Sequence, residues 1–253
     1  MQDLLELPQR SAKPRRQGIT HVLDKGLSVN EIDGLVEVAG EFIDIVKLGW
    51  GTALATGNLP AKLERYAGHE IPVVLGGTLT ELAIAQDRFE ALVSWVHELG
   101  LVHFELSDGT ITLPRKRKLE MIARLASEFT VLSEVGSKDD TGAITPPYQW
   151  VEQMQEELQA GAWKVIAEGR ESGSAGIFRP SGEVREGLID EIVHGVDQTR
   201  IMFDAPQKHQ QVWFVRRFGS EVNLGNIAVT DVLSLETLRL GLRSDTMGLA
   251  TGG

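Results

Sequence analysis

The chain has 253 residues, 42% of them hydrophobic, no cysteine and a formal net charge of −11. That length can bury one large core or two small ones. The missing cysteines exclude a disulfide framework and thiolate chemistry, and the acidic balance argues against non-specific nucleic-acid binding. No apolar run reaches the roughly 18 residues a membrane helix needs. The start, MQDLLELPQRSAKPRRQG, has no signal-peptide core. The expectation is a cytoplasmic globular protein that engages neither nucleic acid nor membrane.

In chain order, the first predicted strand is ITHVLD from Ile19, followed by a helix capped near Asn30. FIDIVKLG from Phe42 is the second strand, and NLPAKLERYAGHE has helical periodicity. IPVVLGG from Ile71 leads into one long amphipathic segment, TELAIAQDRFEALVSWVHELG, from Thr80 to Gly100. LVHFELSDG from Leu101 precedes the helix PRKRKLEMIARLASEF, and TVLSEVG from Thr130 precedes PPYQWVEQMQEELQAGA, framed by Thr145 and Gly161. WKVIAEG from Trp163 and RIMFDAP from Arg200 are strands six and seven. A helix start around His209 then runs to Gly219, and EVNLGNI from Glu221 leads to the last helix, VTDVLSLETLRLGLR, capped by Thr230.

Eight such units in about 250 residues predict an α/β fold, a single (β/α)8 TIM barrel. The competing doubly wound sheet would need a glycine-rich dinucleotide turn after strand one, and VLDKGLSVNE has no GxGxxG. The barrel is expected over residues 18–246, with an N-terminal extension (1–17) and a tail (247–253) but no second domain.

In this architecture the active site lies at the C-terminal ends of the strands. Reading those ends gives Asp24 and Lys25, then Lys47 with the Gly49–Thr52 turn, and Gly76, Gly77 and Thr78. Next come Glu105, Ser107 and Asp108, then Glu134 with Lys138 beyond it, then Glu168, Arg170, Glu171 and Ser172. Asp204, Gln207 and Lys208 follow strand seven, and Asn223, Gly225 and Asn226 strand eight. A lone glutamate at such a place is commonly a hydrogen-bonded barrel residue, and a loop lysine is commonly solvated. Convergence on one mouth argues for an enzyme, because unpaired buried charge is costly. Carboxylates at adjacent strand ends suit a hard cation, Mg²⁺. The lysines and Arg170 suit an anionic substrate, and Gly225 and Asn226 occupy a place where barrels bind phosphate through backbone N–H groups. Ser107 and Ser172 lack an evident histidine partner, so nucleophilic catalysis is not indicated. The combination reads as enolate chemistry on a phosphorylated carboxylate.

Taken together in order, VLDKG, FIDIVKLGWGT, GGTL, ELSDG, EVGSK, GRESG, DAPQKHQQ, VNLGNI and SLETLRLGLRSDT resemble the phosphosulfolactate synthase (ComA-type) family, from about Gly18 to Thr246. The resemblance implies a (β/α)8 barrel that adds sulfite to phosphoenolpyruvate with Mg²⁺ through an aci-carboxylate, the opening step toward coenzyme M in methanogens. It implies that Lys138, after the EVG motif, protonates C2. Glu105, Glu134 and Glu168 are the metal candidates, and Lys25, Lys47 and Arg170 complete the catalytic set. Asp24, Ser107, Asp108, Glu171, Ser172, Asp204, Gln207, Lys208, Asn223, Gly225 and Asn226 would contact substrate. A homo-oligomer is expected, with a trimer as the candidate state. Two features depart from the family pattern: Asp204 stands where FEAPQK has Glu, and Arg115, Lys116 and Arg117 make the rim basic, either as solvated side chains or, with Arg179 in another rim loop, to serve a more anionic substrate. A close lyase with another nucleophile or enol phosphate, or a non-catalytic stress-related descendant, are the alternative readings.

Overall fold

The computed structural model describes residues 4–136 and 145–251. Eight short strands are present: β1 (Thr20–Asp24), β2 (Ile45–Leu48), β3 (Val73–Leu75), β4 (His103–Leu106), β5 (Thr130–Val135), β6 (Lys164–Ala167), β7 (Ile201–Asp204) and β8 (Leu224–Ala228). They form one parallel sheet in the order β3-β2-β1-β8-β7-β6-β5-β4. Across the seam between β3 and β4, the Gly77 N–H donates to Glu105 Oε1 (2.6 Å) and the Thr80 hydroxyl to the Glu105 carbonyl (2.8 Å). The single (β/α)8 barrel expected from the sequence is what the chain forms.

The helices are α1 (Val29–Ala39), α2 (Thr52–Ala55), α3 (Leu59–Gly68), α4 (Gly77–Ala85), α5 (Phe89–Glu98), α6 (Arg115–Leu125), α7 (Pro147–Gln159), α8 (Glu186–Gly195), α9 (Lys208–Phe218), α10 (Val232–Arg239) and α11 (Gly248–Thr251). None is long and apolar enough to cross a membrane. Ser28, not Asn30, caps α1, in a reciprocal capping box with Glu31. The long segment expected from Thr80 to Gly100 is two helices, because Asp87 adopts a left-handed conformation (φ 55°) that ends one turn before the next begins. Thr80 lies inside α4, and Pro146 rather than Thr145 precedes α7.

The alternation of side chains along each strand explains how this sequence makes a site. Ile19, Ile45, Val74, Leu132, Ile166 and Met202 form an apolar plug inside the barrel. Two positions further on, each of these strands turns polar or small: His21, Lys47, Gly76, Glu134, Glu168 and Asp204. The intervening residues, among them Val22, Val46, Val131, Val165 and Phe203, face the helices in two larger cores. Apolar burial thus closes the lower barrel and leaves a charged layer above it.

Below the plug, the N-terminal segment crosses the foot of the barrel. The Arg10 guanidinium bonds Glu236 (2.9 Å) and Glu221, Arg15 bonds Asp44 (3.1 Å), and Lys164 donates to the Arg16 carbonyl (2.8 Å).

Candidate functional site

A cavity of about 290 Å³ opens at the C-terminal rim, lined by Lys47, Trp50, Gly76, Gly77, Thr78, Glu105, Thr110, Glu134, Glu168, Arg170, Glu171 and Asn226. A cavity of about 600 Å³ opens at the opposite rim, around Asp44, His69, His103 and Trp163. The smaller one holds the convergent charges.

Lys47 is its centre. The ammonium stands 3.3 Å from Glu105 and 3.3 Å from Glu134, with all three side chains buried. Burial works against the Lys47 charge, but Glu105 and Glu134, with Asp204 and Glu168 behind them, outweigh it and hold the pKa above the ordinary lysine value. Lys47 is therefore a fixed cation at neutral pH. His21 lies beneath, with Nε2 4.0 Å from Glu105 Oε2. Burial, reinforced by the Lys47 charge, pushes its pKa well below the usual histidine value, so the ring is neutral. A Cβ on Gly77 would stand 2.5 Å from Ser107 Cβ. Glycine there lets the start of α4 approach Glu105 closely enough for the 2.6 Å hydrogen bond.

On the far wall, Glu168 Oε1 accepts the Arg170 N–H (2.5 Å), and Asp204 Oδ2 accepts from the Gly169 N–H (3.2 Å). Between β1 and β8 the register shifts, so that Gly225 and Asn226 together oppose His21. This bulge, with Asn226 at φ 54°, lets β8 carry two successive residues inward between the helix-facing Leu224 and Ile227. Gly225 sits against Asp204 and His21 inside the barrel, and Asn226 lines the cavity.

The structure thus gathers Lys47, Glu105, Glu134, Glu168, Arg170, Glu171 and Asn226 around one space. Other expected residues lie elsewhere. Asp24 has the helix-facing parity of β1. One of its oxygens accepts the Gly26 and Leu27 N–H groups (2.7 and 2.8 Å), the other bonds the Tyr66 hydroxyl (2.8 Å) and Lys62 (2.7 Å), so it anchors α3 instead of meeting substrate. Asn223 precedes β8 and belongs to the foot, where its amide bonds the Ile201 carbonyl (2.8 Å) and the Ile19 N–H (3.1 Å). Ser107 donates to the buried Glu81 (2.5 Å). Ser172 pairs with Ser174 (2.7 Å) and accepts from Gln207 through its carbonyl. Lys208 is exposed and bonds Asp245 (2.9 Å). Lys25 stands at the rim over the Trp50 ring. Lys138 lies outside the described residues.

The basic run is only in part a solvated field. The Lys118 side chain is buried against Asp108 (2.7 Å), Glu157 (2.9 Å) and the Glu134 carbonyl (2.7 Å), and Arg115 pairs with Glu156 (2.7 Å) and Glu157. Asp108, expected at the substrate, is thereby committed to Lys118. Lys116 and Arg117 remain exposed. Lys118→Met is expected to lower unfolding stability by about 2 to 3 kcal/mol by leaving buried carboxylate oxygens short of a donor, whereas Lys116→Ala should change it by less than about 0.5 kcal/mol. Urea titration of both variants measures this.

Sequence reading missed His21, Glu81 and the inward place of Trp50. Counting two residues on from Ile19 finds His21. Glu81 has no such signal, because a helix must first bring it to Ser107 and Thr110, beyond the end of β4.

Among the described residues, no three acidic or histidine side chains form a preformed metal cage. The cavity nonetheless offers only hard oxygen donors and nitrogen cations, with Lys47 standing between Glu105 and Glu134. That donor set fits Mg²⁺, which takes one or two protein carboxylates and completes its shell with water and substrate oxygens.

The family model for (2R)-phospho-3-sulfolactate synthase (ComA) matches residues 8–245. Phosphosulfolactate synthase of Bacillus subtilis (strain 168) is 41% identical over 247 residues, covering 97% of this chain and 98% of the relative. The Methanocaldococcus jannaschii protein of the same name is 41% identical over 239 residues, covering 92% and 95%. Among solved structures, the YdjI aldolase of Escherichia coli K12 superposes with a TM-score of 0.57 at 10% identity, covering 87% of this chain and 77% of that one, a likeness of fold alone. With a family model spanning nearly all of the barrel and relatives aligned end to end, the chain belongs to the (2R)-phospho-3-sulfolactate synthase family.

Proposed function

We propose that this barrel joins sulfite to phosphoenolpyruvate, giving (2R)-2-O-phospho-3-sulfolactate, with Mg²⁺ as the cation. The observation that carries the reading is Lys47, an ammonium fixed between two buried glutamates on the wall of a cavity that also holds Arg170. The relatives' names support a small phosphorylated substrate.

Sulfite's lone pair forms the C–S bond at the methylene carbon, and the π electrons move through C2 onto the carboxylate. Charge stabilisation at that carboxylate is the dominant demand, and groups already held in place meet it without reorganisation. Lys47 is such a group, because Glu105 and Glu134 hold it from two sides. Arg170 offers a planar pair of donors to a carboxylate or phosphate. Mg²⁺, held by Glu134 and Glu168 with Glu105 as the third candidate, would neutralise substrate charge and the charge that develops. A proton delivered to C2 completes the addition, and Lys138 is the proposed donor.

The test is incubation of the protein with phosphoenolpyruvate, sulfite and Mg²⁺, with mass spectrometry for a new phosphorylated sulfonate. Formation of the adduct is expected. Exhaustive EDTA treatment should abolish it and added Mg²⁺ restore it; full turnover after chelation would remove the metal from the mechanism.

A further inference from the structure

The turn after β2 holds an arrangement that the barrel itself does not require. Trp50, between Gly49 and Gly51, has φ 53° and ψ 28°, a left-handed conformation unfavourable for a bulky residue. Its indole lines the cavity yet is 50% exposed. The Lys25 ammonium sits over this ring, 4.7 Å from its centroid. Lys25 is itself exposed, and among the described residues its ammonium has no carboxylate within ion-pair distance. Four glutamates line the neighbouring cavity. An unrestrained lysine at such a mouth would be drawn to a carboxylate, whereas an aromatic face holds the cation while leaving its N–H donors unspent.

The charge pattern says what those donors are for. Lys47 is held by Glu105 and Glu134 at a fixed place on the cavity wall, so it does not reach out to meet a second charged group at the entrance. An incoming dianion needs a cation whose charge is not already matched, and Lys25 provides one at the entrance. We propose that Trp50 is a positioning residue that parks the Lys25 ammonium at the rim, where it receives the doubly charged oxyanion of the substrate, its phosphate group. This deepens the function proposed above and rests on the substrate being phosphorylated. Sulfite is the other oxyanion of that reaction and shares much of this chemistry, so the experiment separates the two.

Asparagine tolerates the left-handed conformation, so Trp50→Asn removes the ring and keeps the turn. Calorimetric titration with phosphoenolpyruvate, inorganic phosphate and sulfite in turn would compare wild type, Lys25→Met, Trp50→Asn, the double variant and Trp50→Phe. Each of the first two single variants is expected to weaken phosphate and phosphoenolpyruvate binding by about 5- to 20-fold. The double variant should be no weaker than Lys25→Met, because the ring acts through the ammonium. Trp50→Phe, which restores an aromatic face, should come within about threefold of wild type. Sulfite binding should change less than about twofold, and the melting temperature of Trp50→Asn should not fall below that of wild type. Independent, multiplying losses in the double variant would overturn the coupling. So would wild-type binding by Trp50→Asn, or a Trp50→Phe protein as weak as Trp50→Asn. Loss of sulfite binding in place of phosphate binding, or a wild type that binds neither phosphate nor phosphoenolpyruvate, would overturn the assignment to phosphate. A wild type that binds phosphate but forms no sulfonate would refute the proposed reaction, and the same five-protein comparison would still decide the role of Trp50.

Discussion

Lys47→Met is expected to reduce kcat by at least about 10³-fold and to cost about 3 to 5 kcal/mol of stability. Both effects come from one geometry: the ammonium lies 3.3 Å from each of two buried glutamates, and methionine leaves those carboxylates facing one another without it. The pH dependence has a definite sign. Lys47's folded pKa is raised above its unfolded value, so its contribution is complete below the ordinary lysine range and is lost as pH climbs through that range toward the raised value. The wild-type advantage should therefore be flat across neutral pH and shrink in strong base. It should shrink in acid as well, because in the variant two like charges would raise a carboxyl pKa, and protonation then relieves the repulsion. Thermal melts of both proteins from about pH 5 to pH 12 enter both the ordinary lysine range and the range of a raised carboxyl and check this. An unchanged melting temperature at pH 7 would contradict the pairing on which the mechanism depends.

The second large effect is expected at Lys138, the proposed donor to C2. Removing a positioned general acid typically costs about 10² to 10⁴ in rate. Lys138→Met keeps the length of the side chain and deletes the proton, so kcat should fall at least about 10²-fold while phosphoenolpyruvate binding persists. The fixed charge of Lys47 complements this role, since an ammonium held above its ordinary pKa releases its proton poorly. Stopped assays in D₂O and H₂O, read by mass, would show whether the variant still incorporates solvent hydrogen at C2. Turnover within about threefold of wild type would assign the acid elsewhere, with Lys25 as the next candidate.

Much of this was legible in the sequence because a barrel strand has a period of two. Ile45 to Lys47, Leu132 to Glu134, Ile166 to Glu168 and Met202 to Asp204 each step from the apolar plug to the charged layer. Asp24 shows what strand ends alone miss: its chain position is right and its parity is wrong, so it faces α3. Asn223 failed for a different reason. The polar stretch EVN reads as the strand's beginning, but pairing begins at Leu224 and the bulge places the inward residues at Gly225 and Asn226. Part of the basic run could not be read from its own segment, because Glu156 and Glu157, which pair with Arg115 and Lys118, sit on α7, about forty residues away. A charge on paper has no partner until the helices are packed.

The foot of the barrel bears on how the molecule comes into being. Arg10 reaches Glu236 across 226 positions of sequence, and Arg239 donates to the Ile19 carbonyl (3.2 Å) across 220. Strand β1 pairs with both β2 and β8, so during synthesis one of its edges stays unsatisfied until nearly the whole chain has emerged. Contacts of such separation bring their reward only after a long loop has closed, which makes ring closure a late event and the incomplete barrel the species most exposed to aggregation. The acidic mouth draws on strands from both halves, so the nascent protein has no competent site before that closure. The segment that straps the foot, Arg10 to Arg16, is translated before every strand it joins and is among the last to find its partners.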